Sequence, residues 1–168
     1  MSFGDLLRVP GSRESLTSAM ADGASVRMVY SPYDALKVAE EDSCHTYIFA
    51  AVGFETTTPV YALIIEEAAA KGIKNFRLLT SLKTMPEVIR WVCDNKGGID
   101  GFIAPGHVAV ISGYGIYGRL AEEYGIPFVV SGFEGIQLLM TVYALVKLQG
   151  RGVVKNLYEE AVTENGNE

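Results

Sequence analysis

Three short segments concentrate side chains able to do chemistry, and each directly follows an apolar run. The first is Gly53-Phe54-Glu55-Thr56-Thr57-Thr58-Pro59. Glu55 offers a carboxylate there, and Thr56 and Thr57 offer hydroxyls, beside a helix start whose backbone N–H groups point outward. Gly53 permits a tight turn, Thr58 is expected as the N-cap, and Pro59 suits the first helical position. The second segment is Ala104-Pro105-Gly106-His107-Val108. Its Pro-Gly turn presents His107, an imidazole suited to proton exchange, metal ligation or hydrogen bonding, or equally to a structural role. The third is Gly132-Phe133-Glu134. Glu134 precedes a helix, where the dipole favours a carboxylate by about 0.3–1 kcal/mol, so capping competes with any binding role. Glu55 and Glu134 could face each other across a cleft, but the sequence sets no separation and gives no support for a hydrolytic carboxylate pair.

Two further segments are less specific. Asp5 and Arg8, with the Pro10-Gly11-Ser12 turn, are expected to form an ion-paired supporting loop that enters the first helix through Ser12. Gly113-Tyr114-Gly115-Ile116-Tyr117-Gly118 fits the G-x-G-x-x-G spacing of a dinucleotide loop. It does not directly follow its strand, and no acid ends the next one, so the fingerprint is incomplete. A nucleotide- or small-molecule-binding domain built on that loop is the alternative reading. Cys44 and Cys93 lie in no CxxC and no paired-histidine spacing, so they read as reduced thiols that ligate nothing.

The elements that must position these segments alternate between strand and helix. Strands are expected at Val26–Tyr30, Tyr47–Val52, Phe76–Thr80, Gly101–Ala104 and Pro127–Ser131. Tyr47–Val52 is continuously apolar, as in a parallel strand covered on both faces. Helices are expected after Ser31-Pro32, over Pro59–Lys71 closed by Gly72, from a Thr84–Glu87 capping box to about Asn95, and over Arg119–Tyr124 closed by Gly125. The pattern predicts an α/β fold, a Rossmann-like parallel sheet of about five strands with helices on both faces. In such sheets ligands sit beyond the carboxyl ends of the strands, where all three segments fall. Gly-Phe-Glu occurs twice between a strand and a helix, which suggests two related lobes. Gly135–Gln149 is apolar all round, so it is expected to be buried on several sides or to leave a face for a missing partner. Residues 159–168 are expected to form a frayed tail after a folded region spanning 1–158.

Composition excludes other classes. The net charge of -6 supplies no basic field for nucleic acid or an anionic membrane. The most apolar stretch, Ile136–Leu148, is shorter than the roughly 20 residues of a membrane span. With no apolar leader in Met1–Val9, a cytoplasmic location is expected.

Taken in order, the segments resemble the HypD family of [NiFe]-hydrogenase maturation proteins. The resemblance runs through Phe3–Ser12, Val29–Leu36, Gly53–Thr57, Pro105–Val108 and Gly132–Glu134, and covers about Phe3 to Tyr158. It implies a maturation scaffold more than a turnover enzyme, one that helps assemble iron carrying cyanide and carbonyl ligands. It implies a HypC-type chaperone and a HypE-type cyanide donor as partners. Glu55, Thr56, Thr57, Gly106, His107, Gly132, Phe133 and Glu134 would line the assembly cleft, with no catalytic residue. Complete members of the family carry a [4Fe–4S] cluster. Their Cys-Gly-Thr-His, Gly-Pro-Gly-Cys-Pro-x-Cys and C-terminal cysteine segments are not in this sequence, Phe128 stands where many members have cysteine, and Gly135-Ile136 replaces a more usual Pro-Leu. No cofactor and no metal ligand are therefore expected in this chain.

Overall fold

A computed structural model describes residues 1–167. It divides into two compact units, Met1–Leu82 and the residues from Lys83 onward. The five strands are parallel, in keeping with the α/β expectation, but they form a two-stranded and a three-stranded sheet instead of one.

In the first unit, a 3-10 turn at Asp5–Arg8 and helix α1 (Leu16–Ala21) precede α2 (Pro32–Glu41), β1 (Tyr47–Gly53), α3 (Thr58–Ala70) and β2 (Phe76–Leu82). Ser31 caps α2 by accepting from the Tyr33 N–H at 3.1 Å, and Pro32 fills the first turn as the sequence suggests. β1 and β2 pair in register from Tyr47↔Phe76 to Gly53↔Leu82. Phe49 and Ala51 point to the side covered by α2 and α3, where they bury with Leu36, Tyr61 and Ile64. Ile48 and Leu79, on the opposite side, are exposed, so this sheet is not covered on both faces. The strand expected at Val26–Tyr30 is reduced to one bridge, Ser2↔Met28, with Val29 N–H donating to Ser2 O at 3.0 Å. Ser31-Pro32 starts a helix at once, and Pro32 has no N–H to extend the ladder.

The second unit runs α4 (Met85–Asn95), β3 (Phe102–Pro105), α5 (Gly106–Ser112), α6 (Gly115–Tyr124), β4 (Phe128–Ser131), α7 (Gly135–Leu148) and β5 (Val154–Asn156). The strand order is β3-β4-β5, and every residue of the central strand β4 is buried. Phe102 stacks on Phe128 at 4.9 Å, and Tyr117 stacks on Phe128 from α6 at 6.1 Å between ring centroids. Arg90 of α4 pairs with Glu123 of α6 at 3.4 Å, and the Tyr124 hydroxyl donates to Asp94 at 3.0 Å, so the two helices are clamped by polar contacts.

Several local expectations are corrected. Thr84 makes no capping bond. Glu87, expected to complete a box with it, pairs instead with Arg90 at 2.7 Å, a charge-assisted contact that competes for the same carboxylate. The helix expected at Arg119 begins at Gly115 and ends as foreseen at Gly125, which adopts the left-handed conformation at φ 67°. Residues 159–167 are held down, since Val162 is buried, Asn156 Nδ2 donates to Val162 O at 2.9 Å, and Asn167 N–H donates to Val110 O at 2.9 Å.

Candidate functional site

In the second unit the site is built where two neighbouring parallel strands end. Pro105 of β3 and Ser131 of β4 are register partners, so the segments that follow them emerge side by side. After β3 the chain enters α5 without a loop. Gly106 is the first helical residue and His107 the second, so the histidine expected in a loop sits in the first turn of a helix. Val108 and Ala109, both buried, anchor that turn while His107 stays exposed. Gly106 is required there by packing. A Cβ would lie 2.6 Å from Ser131 O and 2.6 Å from Cδ1 of the Tyr158 ring.

After β4, Ser131 Oγ donates to Gly132 O at 2.9 Å, and Gly132 is pressed against the Gln137 side chain so closely that a Cβ would overlap it. Glu134 is the N-cap of α7. Its carboxylate accepts from the Gln137 backbone, and Gln137 Oε1 accepts from the Glu134 N–H at 3.2 Å, a reciprocal capping box. Glu134 thus has a structural duty, and Gln137 also reaches Glu160 at 3.5 Å. Phe133, between these fixed residues, projects outward at 62% exposure. Its ring meets the His107 ring at 5.1 Å between centroids, tilted by 38°. The structure therefore brings His107, Phe133 and Glu134 to one edge of the sheet. The imidazole and the phenyl are both exposed to solvent. Such flat, semi-rigid rings suit recognition, and a capped carboxylate beside them is poorly placed to shuttle protons.

Glu55, Thr56 and Thr57 lie in the turn after β1 in the first unit. Gly53 has φ 146°, accessible to glycine, and a Cβ there would sit 2.7 Å from the Thr57 side chain. Thr57 occupies the N-cap position without a side-chain cap. Thr58, expected as that cap, is the first residue of α3, and its hydroxyl donates to Phe54 O at 3.2 Å. Phe54 O also receives the Thr57 N–H at 3.0 Å, which curls the Phe54–Thr57 turn. Glu55 is half-buried, with one carboxylate oxygen withdrawn from solvent, while Thr56 is exposed. The supporting loop differs from expectation. Asp5 accepts from the Leu6 N–H at 3.0 Å and makes no ion pair with Arg8 among the described residues, and α1 is capped by Ser15, not entered through Ser12.

The glycine-rich segment has another explanation than a phosphate cradle. Tyr114 and Gly115 N–H groups, at the start of α6, donate to Thr163 O at 3.1 Å and Glu164 O at 3.0 Å. Gly113, at φ 75°, lies in such close contact with Glu164 O that no Cβ fits. The glycines make room for the chain's own returning backbone, and the donors a phosphate would need are occupied. Residues that sequence reasoning missed are Tyr158, which packs on Gly106, and Asn156, which accepts from the Tyr158 N–H at 2.9 Å. Only the Glu134–Gln137 spacing carried a readable signal, that of a capping box.

These motif-bearing loops coincide with a known family. The HypD family model, described as hydrogenase formation hypA family, matches residues 1–168. The chain belongs to the HypD family. It is 46% identical to the hydrogenase maturation factor HypD of Rhodobacter capsulatus over 99% of this chain and 45% of that protein. It is 41% identical to HypD of Escherichia coli K12, over 99% of the chain and 45% of the relative. A putative hydrogenase expression/formation protein of Methanocaldococcus jannaschii is 38% identical, over 99% and 47%. The chain thus spans about half the length of these HypD relatives. Its described residues hold no trio of His, Cys, Asp or Glu placed to grip a metal, and Cys44 and Cys93 are free thiols in different units. They do not fit the ligand set of a [4Fe–4S] cluster, which takes four thiolates. No described helix is long and apolar enough to cross a membrane.

Proposed function

We propose that this chain is an interaction scaffold for hydrogenase maturation, working in the cytoplasm on the iron site that acquires cyanide and carbonyl ligands. One observation carries the reading. The two HypD motif segments of the second unit meet through the exposed His107 and Phe133 rings at 5.1 Å. The scaffold uses this ring pair to hold a HypC-type chaperone, with a HypE-type cyanide donor visiting the same edge. Glu55, Thr56 and Thr57 supply an acid and hydroxyls from the motif loop of the first unit. The iron is cargo. In this reading the imidazole N–H would hydrogen-bond its diatomic ligands, and thiolates from elsewhere in the assembly hold the metal.

The test is binding of the purified chain to a purified HypC-type chaperone by calorimetry. The wild-type chain binds, and His107→Ala and Phe133→Ala each weaken binding by about tenfold or more, as for an exposed aromatic anchor. If both variants bind like the wild type, the ring pair is not the docking element and the scaffold reading fails.

A further inference from the structure

The segments after β3 and β4 carry His107 and Phe133, and the segment after β5 lies next in the same row. Asn156 is the register partner of Val130, and Leu157 N–H still donates to Val130 O at 3.0 Å, so Tyr158, Glu159 and Glu160 emerge beside Gly132–Glu134. Their turn is pinned by its own backbone. Tyr158 N–H donates to Asn156 Oδ1 at 2.9 Å, and Tyr158 O accepts from the Ala161 and Val162 N–H groups at 3.2 and 2.9 Å. This turn touches the supports of both rings. Tyr158 packs on Gly106, the residue before His107, so closely that a Cβ there would lie 2.6 Å from Cδ1 of the ring. Glu160 Oε1 accepts from Gln137 Nε2 at 3.5 Å. The same Gln137 amide holds the backbone on each side of Phe133. Its Oε1 accepts from the Glu134 N–H at 3.2 Å and lies against Gly132 with no room for a Cβ.

We propose that the Tyr158–Glu160 turn is a positioning element that sets the spacing of the His107–Phe133 ring pair, Tyr158 acting through Gly106 and Glu160 through Gln137. Its bearing on function rests on the reading of that pair as the docking edge. Neither ring is buried, so surrounding packing does not hold it. With rotamers confined to a few staggered wells, the separation of the rings is set by the two backbones that carry them. The backbone of Phe133 answers to Gln137 and that of His107 to Gly106, and both of these answer to one turn. A change in the turn therefore moves the rings relative to each other without altering either.

Proton NMR on the whole chain reads the spacing, because the Phe133 ring current shifts the His107 imidazole signals. The chain has two histidines, so His107→Ala identifies those signals, and Phe133→Leu gives their position without the ring. Gln137→Glu sets like charges against each other at Glu160, and it moves the His107 signals toward the Phe133→Leu position. Adding Glu160→Gln inverts the pair at the wild-type net charge, again faces an amide to a carboxylate, and returns the signals. A general loss of structure would not be reversed in this way. Tyr158→Leu also moves the signals, whereas Tyr158→Phe, which keeps the ring on Gly106, leaves them in place. Calorimetry with the HypC-type chaperone follows the signals, the affinity falling about tenfold in Gln137→Glu and recovering in the inverted pair. The proposal is overturned if Gln137→Glu leaves the signals unmoved, if the inverted pair does not restore them, or if Tyr158→Leu behaves as Tyr158→Phe. Signals that move while chaperone affinity stays level uphold the positioning and tell against the docking reading instead.

Discussion

Gly106→Ala is the sharpest probe of how the candidate site is held. The added Cβ would meet Ser131 O at 2.6 Å and the Tyr158 ring at 2.6 Å. The ring can swing aside, but Ser131 O belongs to the backbone of β4, buried along its whole length. Relief must come from moving the start of α5 away from β4, which also displaces His107 from Phe133. Overpacking of this sort costs about 1–3 kcal/mol. Alanine recovers up to about 1 kcal/mol of helix propensity, less at a first-turn position. The net loss is about 1–2 kcal/mol, which lowers a urea midpoint by roughly 0.5–1 M at the m-value of a small unit. Trp91, the single tryptophan, sits in α4 of the same unit, so its fluorescence follows that unit's unfolding. Gly135→Ala is the control. It starts α7, is exposed and has no atom within 4 Å of an added Cβ, so its midpoint stays level or rises. If Gly106→Ala unfolds at the wild-type midpoint with the same m-value, the close approach of α5 to β4 does not exist as described.

Two other outcomes follow from the same packing. Burial, and then the hydrogen bond to Asp94, push the Tyr124 hydroxyl from 10.0 up to about 12. The phenol ionises more readily in the unfolded chain, so its contribution is intact below pH 10.0 and lost as pH rises toward about 12. Tyr124→Phe should flatten the alkaline fall in the Trp91-monitored midpoint, and an unchanged slope would remove Tyr124 as its cause. Burial, with Asp94 and Glu123 nearby, also raises the Cys93 thiol, whereas Cys44 is exposed. Iodoacetamide should modify Cys44 several-fold faster than Cys93, read by peptide mass spectrometry, and the reverse order would contradict the placement of α4.

Elements with local punctuation were legible from residues alone. Pro32 and Pro59 in first helical turns, Gly72 after α3 and the left-handed Gly125 after α6 mark boundaries that need no tertiary partner. Helix α5 was not legible. Its Gly-His-Val-Ala-Val-Ile-Ser stretch has weak helix formers, and only burial of Val108 and Ala109 commits it to a helix. The early start of α6 was hidden for a related reason, because the backbone carbonyls that satisfy its first N–H groups come from Thr163 and Glu164, nearly fifty residues later. The same long-range contact explains why a dinucleotide-like glycine spacing appeared where the structure has a backbone crossing.

The repeated Gly-Phe-Glu shows how one local pattern serves two purposes. Both copies join a strand to a helix that returns to a parallel neighbour, β1–α3–β2 and β4–α7–β5. That common geometry was readable, since only a strand followed by a helix start places Gly-Phe-Glu there. The roles then diverge through the residues three or four positions on. In the second copy Gln137 bonds back to the Glu134 N–H, so the glutamate becomes a cap and the phenylalanine is left to project toward His107. In the first copy Thr57 and Thr58 converge on Phe54 O, which curls the turn and leaves Glu55 half-buried instead of capping α3. Glu55 therefore does not serve as the cap of α3, whereas Glu134 is fixed as the cap of α7 beside the exposed rings. The division of labour in the proposed scaffold therefore depends on a glutamine in one copy and threonines in the other, more than on the motif they share.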